Sequence, residues 1–415
     1  MSSKRDWVHT ERGFDRLVNF TDAVVAIAAT LLILPLITRL SRAYSDGGDP
    51  EKLLSWDTFT SIAGFVLTFW VMTIFWRVHH GVFERLKGYS ERLMTLTFFW
   101  LASIIFLSFP AGIISLSDLN LVEENYAAAL YFATTAVVSG LGTAIGIYAS
   151  RHPELLRDPN DEANRPSYRP FVFAALWAIL ALVAMVPAVG FHAFWGLVLY
   201  PIVIIAVRSS DRVQRHTERG LDRLVSFSDA VVAIAITLLI LPLIEILSDG
   251  VNDVSELKLD RLLVAKVLAF GFTFWMMSRQ WLVNHRTYEQ LKDYSQQLIT
   301  LTLLWLLAMV FLAFPAGIFG EWMVAANPSE GPPITRFAPL FYWSALAVIS
   351  LLGSAIQFHA SRHSEILADP ARPIWNRIVL LYPVLYLSVG VLSTRFGPWG
   401  LLPLPLLFVV KRRGG

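Results

Sequence analysis

The sequence predicts an all-α membrane protein with twelve transmembrane helices, arranged as two parallel repeats of six helices each. Three observations carry this prediction. Of the 415 residues, 55% are hydrophobic and only 16% are charged, and the mean hydropathy is +0.55. Soluble domains contain about 25% charged residues, so this composition indicates a chain embedded in lipid. The second observation is a series of apolar stretches long enough to cross a bilayer, and the third is an internal repeat.

The internal repeat is the clearest feature of the sequence. Residues 9–37 read HTERGFDRLVNFTDAVVAIAATLLILPLI, and residues 216–244 read HTERGLDRLVSFSDAVVAIAITLLILPLI. The two segments differ at only four of 29 positions, and weaker matches such as SFPAGI with AFPAGI follow. A signal peptide would not recur in mid-chain, so both copies are interpreted as retained helices. We therefore divide the chain into a first repeat, residues 1–211, and a second repeat, residues 212–415.

Each repeat contains six apolar stretches that we interpret as transmembrane spans, since a spanning helix needs about 20 apolar residues. The sixth stretch is short and contains proline in both repeats. The predicted spans are 17–40, 58–80, 93–116, 126–149, 171–190 and 194–207 in the first repeat, and 224–246, 262–284, 298–323, 339–358, 375–394 and 397–410 in the second.

The charges of the connecting segments predict how these spans are oriented. Lys and Arg accumulate at the N-terminus, in the linkers between the second and third spans, and at the joint between the repeats. The alternate loops are acidic. Because cytoplasmic loops are rich in Lys and Arg, both termini are expected in the cytoplasm, and the membrane is the plasma membrane if the protein is bacterial. Six is an even number, so the repeats run parallel, unlike the inverted repeats of many transporters.

Composition and missing motifs exclude several classes of function. The net charge of +2 gives no reason to expect a nucleic-acid partner. The lack of cysteine excludes disulfides, thiolate metal sites and cysteine nucleophiles. The sequence contains no P-loop, no dinucleotide-binding glycine motif and no H-E-x-x-H motif. We therefore expect no enzymatic activity, no cofactor and no resident metal ion. The expected partner of the protein surface is the lipid bilayer.

One face of the first span is almost the same in both repeats. Residues three or four positions apart share a helix face, so this face is aliphatic with one threonine layer. One interpretation is ordinary packing, with the threonine bonded to its own helix. The other is the wall of an ion pathway, because bulky aliphatic layers can close a pore by dewetting beside a layer of hydroxyl oxygens. The face consists of Ala23, Ile27, Thr30, Leu34 and Thr38, and in the second repeat of Ala230, Ile234, Thr237, Leu241 and Glu245.

An aspartate lies near the start of each first span, where an unpaired charge costs about 3 kcal/mol. One interpretation is a helix N-cap. The other is a buried polar network with the second span, because Trp76 and His80 are four residues apart and share a helix face, as do Trp281 and His285. The surrounding motif R-x-x-x-F-[ST]-D consists of Arg16, Phe20, Thr21 and Asp22 in the first repeat, and of Arg223, Phe227, Ser228 and Asp229 in the second.

This motif, followed by AIAITLLIL in a six-helix repeat, resembles the lysosomal potassium channel family called transmembrane protein 175, which has bacterial relatives. The resemblance extends over both repeats, and two-repeat members of that family assemble as dimers. It implies a potassium-permeable channel that lacks the TVGYG filter and whose first helices line the pore. By motif position, it implies that Ile27 and Ile234 form the hydrophobic constriction, and that Thr30 and Thr237 form the adjoining selectivity layer. Proton permeation is also attributed to the family.

Residues and resemblance together predict a potassium-permeable cation channel, with protons as a second candidate ion. Leu34 and Leu241 are expected to add an aliphatic layer to the gate. A homodimer would place four first helices around one pseudo-fourfold pore, and the only metal expected is K⁺ in transit. The alternative is an ion-coupled secondary transporter, which needs ionisable groups in mid-membrane. The first spans have none beyond the aspartates, apart from Glu245 near the end of the second.

Overall fold

The computed structural model of the protein is all-helical, which confirms the predicted fold class. Within the described residues there is no β-strand, and the only β-type pairs are the isolated bridges Leu86 with Leu156 and Leu291 with Leu367. In lipid, a helix satisfies its backbone hydrogen bonds internally, so long apolar segments adopt this form. The described residues are 11–44, 49–116, 121–161, 169–186, 218–248, 261–324, 333–371, 375 and 377–403.

Thirteen α-helices and five short 3₁₀-helices make up the regular structure of the described residues. In the first repeat the α-helices are α1 (Glu11–Leu31), α2 (Leu34–Tyr44), α3 (Trp56–Glu84), α4 (Glu91–Leu116), α5 (Leu121–Ser150) and α6 (Arg169–Ala184). In the second repeat they are α7 (Glu218–Leu238), α8 (Leu241–Ser248), α9 (Arg261–Tyr288), α10 (Gln296–Phe311), α11 (Ala313–Val324), α12 (Pro333–Arg362) and α13 (Leu381–Phe396). The 3₁₀-helices are Pro50–Leu54, Pro153–Leu155, Ser364–Ile366, Arg377–Leu380 and Gly397–Leu401.

Eight helical segments of the described chain are long and apolar enough to cross a membrane, so the protein is a multi-pass integral membrane protein. Three of them join a pair of consecutive α-helices across a short break. The segments are Glu11–Tyr44, Trp56–Glu84, Glu91–Ser115, Asn125–Ser150, Arg219–Ile244, Gln296–Met323, Phe337–Arg362 and Ile378–Phe396.

Four predicted spans are not among these eight segments. Helix α6 has only 16 residues, and α9, although it is 28 residues long, carries Lys266 and Arg279 within it. The predicted span 194–207 lies outside the described residues. The predicted span 397–410 is described only to residue 403, and its described part begins as a 3₁₀-helix. The twelve-helix arrangement therefore remains a prediction.

The first span of each repeat is interrupted, where the sequence predicted one continuous helix. Helix α1 ends at Leu31 and α2 begins at Leu34, with Pro35 as its second residue. In the same way α7 ends at Leu238, and Pro242 is the second residue of α8. Proline has no N–H to donate, and its ring collides with the carbonyl four residues earlier. The two helices therefore stop one turn before each proline, and a new helix begins at Leu34 and at Leu241.

The described residues form two compact units that do not coincide with the two sequence repeats. The first unit contains residues 1–32 and 63–227, and the second contains residues 33–62 and 228–415. In the first unit α1 packs against α4, α4 against α5, and α5 against α6. In the second unit α2 packs against α11, and α12 packs against both α10 and α13. The boundary between the repeats at residues 211 and 212 remains a prediction from the sequence.

Candidate functional site

The aspartate of the first repeat is buried deep within a helix. Asp22 is only 2% exposed and lies eleven residues after Glu11, the first described residue of α1. Asp229 lies equally far inside α7, which begins at Glu218 in the described chain. An N-cap residue lies at the start of a helix and accepts from its free N–H groups. The N-cap interpretation of these aspartates is therefore wrong.

Asp22 is the centre of a buried hydrogen-bonded ion pair in the first unit. The Nε1 atom of Trp76 donates to Oδ1 of Asp22 at 2.9 Å. Arg223 donates to the same carboxylate twice, from Nε to Oδ2 at 3.0 Å and from Nη2 to Oδ1 at 2.9 Å. A bidentate guanidinium–carboxylate contact of this kind fixes both groups in one plane. The partner arginine thus comes from the motif of the second repeat, and not from Arg16 in the motif of the first.

Phe227 and His80 complete this network. The third nitrogen of Arg223, Nη1, donates to the backbone carbonyl of His80 at 3.1 Å. The ring of Trp76 lies between two others, with centroids 4.9 Å from His80 and 4.1 Å from Phe227. We call Asp22, Trp76 and His80 the first pocket. Arg223 and Phe227, four residues apart on α7, enter it together as one arginine–phenylalanine pair.

A second ion pair lies on the same two helices, two turns closer to the N-terminal end of α1 and one turn closer to that of α7. Arg219 on α7 forms a salt bridge with Asp15 on α1, and its guanidinium lies 5.6 Å from the ring centroid of Phe14. Sequence analysis did not identify this pair. In the alignment of the two repeats, Arg219 corresponds to Arg12 and Asp15 corresponds to Asp222. Both Arg12 and Asp222 are exposed.

The second repeat forms a matching pocket without an arginine in it. Trp281 Nε1 donates to Asp229 Oδ1 at 2.7 Å, and the rings of Trp281 and His285 are stacked at 5.0 Å. We call Asp229, Trp281 and His285 the second pocket. All three are only half-buried, and among the described residues no arginine contacts Asp229. The Nε2 atom of His285 instead lies 3.5 Å from Oε1 of Glu289, the residue that follows the end of α9.

The corresponding arginine–phenylalanine pair of the first repeat is exposed. Arg16 is exposed and makes no hydrogen bond or ion pair with any described residue. Phe20 is 50% exposed and has an edge contact with Phe98. By contrast Phe227, its counterpart in the second repeat, is fully buried. One pocket is therefore filled and the other is open, although the two motifs are nearly identical in sequence.

The hydroxyl groups beside the two aspartates are both buried. Thr21 is fully buried and donates to the backbone carbonyl of Leu17 at 2.8 Å. Ser228 is 1% exposed. Because the hydroxyl of Thr21 is bonded to its own helix, it does not stabilise the first pocket directly. The polar contacts of that pocket come from Asp22, Trp76 and Arg223.

The predicted constriction residues lie in the middle of the first spans. Ile27 is 46% exposed in α1, and Ile234 is half-buried in α7. Leu34 and Leu241 are half-buried as well, and each is the first residue of the helix that follows the proline break. The side chain of Glu245 lies outside the described part of the structure.

The two threonines of the predicted selectivity layer have different surroundings. Thr30 is fully buried and its hydroxyl lies 2.8 Å from the carbonyl of Ile27 and 3.0 Å from that of Ala26. Thr237 is exposed and its hydroxyl donates to the carbonyl of Ile234 at 2.7 Å. A hydroxyl has one proton and two lone pairs, so this back-bonding leaves the lone pairs of the exposed Thr237 free to accept, whereas those of Thr30 are buried within the single chain.

Comparisons with known proteins match the region that contains both pockets. The profile of the family described as "Endosomal/lysosomal potassium channel TMEM175" matches residues 16–107 and 223–313. The chain is also similar to proteins named "Endosomal/lysosomal proton channel TMEM175". It is 26% identical to the one from Danio rerio over 68% of this chain and 59% of that protein. It is 24% identical to the one from Homo sapiens over 73% and 64%, and 25% identical to the one from Mus musculus over 86% and 78%. The chain thus covers less than two thirds of the first two relatives.

Proposed function

We propose that the chain is a member of the TMEM175 family, which both repeats match, and that it is a potassium-permeable cation channel. The observation that carries the proposal is the double family match, which begins at the motif arginine of each repeat. The family description names potassium and the names of the relatives specify protons, so both ions are candidates for this chain. We take potassium as the main permeant ion and protons as a second one.

The pore we propose is lined by α1 and α7, within a membrane domain of twelve parallel-repeat spans. Ile27 and Ile234 form its hydrophobic constriction, because a ring of aliphatic side chains excludes water until the pore widens. The large exposed fraction of Ile27 in a single chain supports this role, since a core isoleucine would be covered. Thr30 and Thr237 supply hydroxyl oxygens one turn further along, and Leu34 and Leu241 add an aliphatic layer beyond them.

A transporter with coupled ions is the less favoured function. Coupling requires a titratable or ion-binding group that changes its occupancy during transport. Asp22 is the only carboxylate within α1 beyond its first two turns, and Trp76 and Arg223 already occupy it. The aspartate is better explained as an anchor for the pore helix. Passive current in the reconstituted protein, without any coupled substrate, is the result that separates the two functions.

The open and filled pockets support a homodimer. The second pocket has the residue types of the first one, and the exposed Arg16–Phe20 pair has those of the Arg223–Phe227 pair that fills it. A second copy related by a two-fold axis can insert its Arg16–Phe20 pair into the second pocket and receive one in return. Each chain already fills its own first pocket, and each would also fill the second pocket of the other chain. These four equivalent contacts form a closed ring around a pseudo-fourfold axis. The same ring pairs the exposed Arg12 with Asp222 of the other copy.

Arg16→Glu is expected to weaken the dimer, because it places a carboxylate opposite Asp229 in a half-buried site. Asp229→Arg should also weaken the dimer, because it places a second arginine opposite Arg16. A chain that carries both substitutions has the charges exchanged and should form the dimer again. The measurement is the mass of the purified protein in detergent at decreasing concentration. Arg92→Glu, an exposed arginine in the first turn of α4, is the control and should leave the mass unchanged. A stable dimer in both single variants would refute this contact.

For the location, we propose that both termini are cytoplasmic. Lys and Arg are in excess at the N-terminus, in the linkers between the second and third spans and at the joint between the repeats. The relatives are named as endosomal or lysosomal proteins, and in a bacterium the equivalent membrane is the plasma membrane.

A further inference from the structure

The second unit contains a cavity with two arginines in its lining, and the proposed channel function does not use it. The cavity has a volume of about 210 Å³ and is enclosed by α9, α12 and α13. Its polar lining includes two arginines, and no carboxylate is part of the lining in the described residues. The polar side chains that matter here are Arg279, Gln280, Asn284, Arg286, Gln357 and Tyr382.

Asn284 is buried in the wall of this cavity without a hydrogen bond. It is 3% exposed, and neither its Nδ2 nor its Oδ1 atom has a partner among the described residues. An unpaired buried amide costs about 1–3 kcal/mol, so such groups are normally satisfied by a ligand or by ordered water. The amide of Asn284 is therefore an unsatisfied polar group within the wall of the cavity, and the two arginines are the charged groups of its lining.

The two arginines give the cavity a positive charge that no carboxylate of the described residues neutralises. Arg279 and Arg286 are seven residues apart, which places them on one face of α9, two turns from each other. The guanidinium of Arg279 lies 4.8 Å from the ring centroid of Tyr382. Stacking of this kind orients the guanidinium and leaves its N–H edges available for an oxyanion. Neither arginine forms an ion pair with a described carboxylate.

The first repeat lacks these groups at the corresponding positions. When Trp76 is aligned with Trp281, Arg279 and Arg286 correspond to Ile74 and Gly81, and Asn284 corresponds to His79. His79 is enclosed by aromatic rings, with centroid distances of 4.0 Å to Phe83 and 4.4 Å to Trp100. The repeat can therefore fold without an arginine-lined cavity, and the polar set in the second repeat needs its own explanation.

We propose that this cavity binds a phosphate group, with Arg279 and Arg286 as the cationic partners. The lining combines net positive charge with hydrogen-bond donors, which is the chemistry that recognises phosphate. Arg286 is exposed and lies in the last turn of α9, so the cavity extends inward from the end of that helix. Basic pockets between helices at this level of a membrane bind the phosphate of anionic lipids. The same side chains could also bind free inorganic phosphate.

The test compares two sources of phosphate on the purified full-length protein in neutral detergent. One arm adds phosphatidic acid, with phosphatidylcholine as the neutral lipid control, and the other adds inorganic phosphate. Binding is measured by native mass spectrometry and by the shift in thermal unfolding temperature. Stabilisation by phosphatidic acid alone assigns the site to a lipid headgroup. Stabilisation by both, or by inorganic phosphate alone, assigns it to the free anion.

Arg286→Gln and Arg279→Gln are each expected to weaken phosphate binding about tenfold, because each removes one charged hydrogen-bonding partner. Arg286 is exposed, so its variant does not threaten folding even if the Arg279 variant does. Arg362→Gln is the matched control, since Arg362 is also an arginine stacked at a helix end, 5.1 Å from the ring centroid of Phe358, but outside the cavity. If neither phosphate source binds, or if the Arg286→Gln protein binds as tightly as the Arg362→Gln protein, the proposal is wrong.

Discussion

Asp22→Asn is expected to lower the free energy of unfolding by about 3–5 kcal/mol, because it leaves the buried guanidinium of Arg223 without its counter-charge. Asparagine keeps the shape of aspartate and can still accept from Trp76, so the loss reports the charge and not the volume. Asp57→Asn, which removes an exposed carboxylate at the start of α3, is the control and should cost well under 1 kcal/mol.

The double variant Asp22→Asn with Arg223→Met sharpens this prediction. Removing both charges takes away the desolvation penalty together with the attraction, so the double variant should be more stable than Asp22→Asn alone. The measurement is thermal unfolding in detergent followed by tryptophan fluorescence, since Trp76 lies in direct contact with the pair. Additive losses from the two substitutions would contradict the view that Asp22 and Arg223 act as one buried unit.

The second large effect is expected from Ile27→Asn combined with Ile234→Asn, which should raise the single-channel conductance severalfold. An amide side chain holds water where an aliphatic one excludes it, so the constriction should stay hydrated. Current recordings in bilayers measure the change directly. Replacing both isoleucines by valine is the matched control, because it keeps the layer aliphatic and should leave the constriction dry.

Protein that elutes normally and conducts like the native chain after the double asparagine substitution would remove Ile27 and Ile234 from the gate. The side chain of Ile27 is largely exposed and is not part of the packed core, so we expect its replacement to leave the fold intact. The elution volume of the variant checks this.

The sequence was sufficient to predict the helical class, the membrane location and the residues of the two pockets. Apolar periodicity and span length indicate helices directly, and a repeated aspartate with a tryptophan on the next span indicates a polar contact. The break after Leu31 could also have been predicted, because Pro35 cannot donate to the residue four positions earlier.

The identity of the arginine that binds Asp22 was not predictable from one sequence. Arg16 is close to Asp22 in the chain, yet Arg223, which is 201 residues away, forms the contact. The two motifs are nearly identical, so nothing in the residues themselves indicates that one pocket is filled and the other is open. The difference depends on which helix packs beside each pocket, and that is a property of the tertiary arrangement. The arginine-lined cavity was missed for a related reason, since Arg279, Asn284 and Tyr382 come together only through packing of α9 against α12 and α13.

The most direct test of the central claim is the reversal potential of the current through the purified protein in a planar bilayer with a potassium chloride gradient. A potassium channel should give an ohmic current without any added substrate, and its current should reverse near the potassium equilibrium potential. A superimposed pH gradient then measures the share of the current that protons carry. Reversal at the chloride or proton potential, or a saturable flux that requires a coupled substrate, would contradict the account.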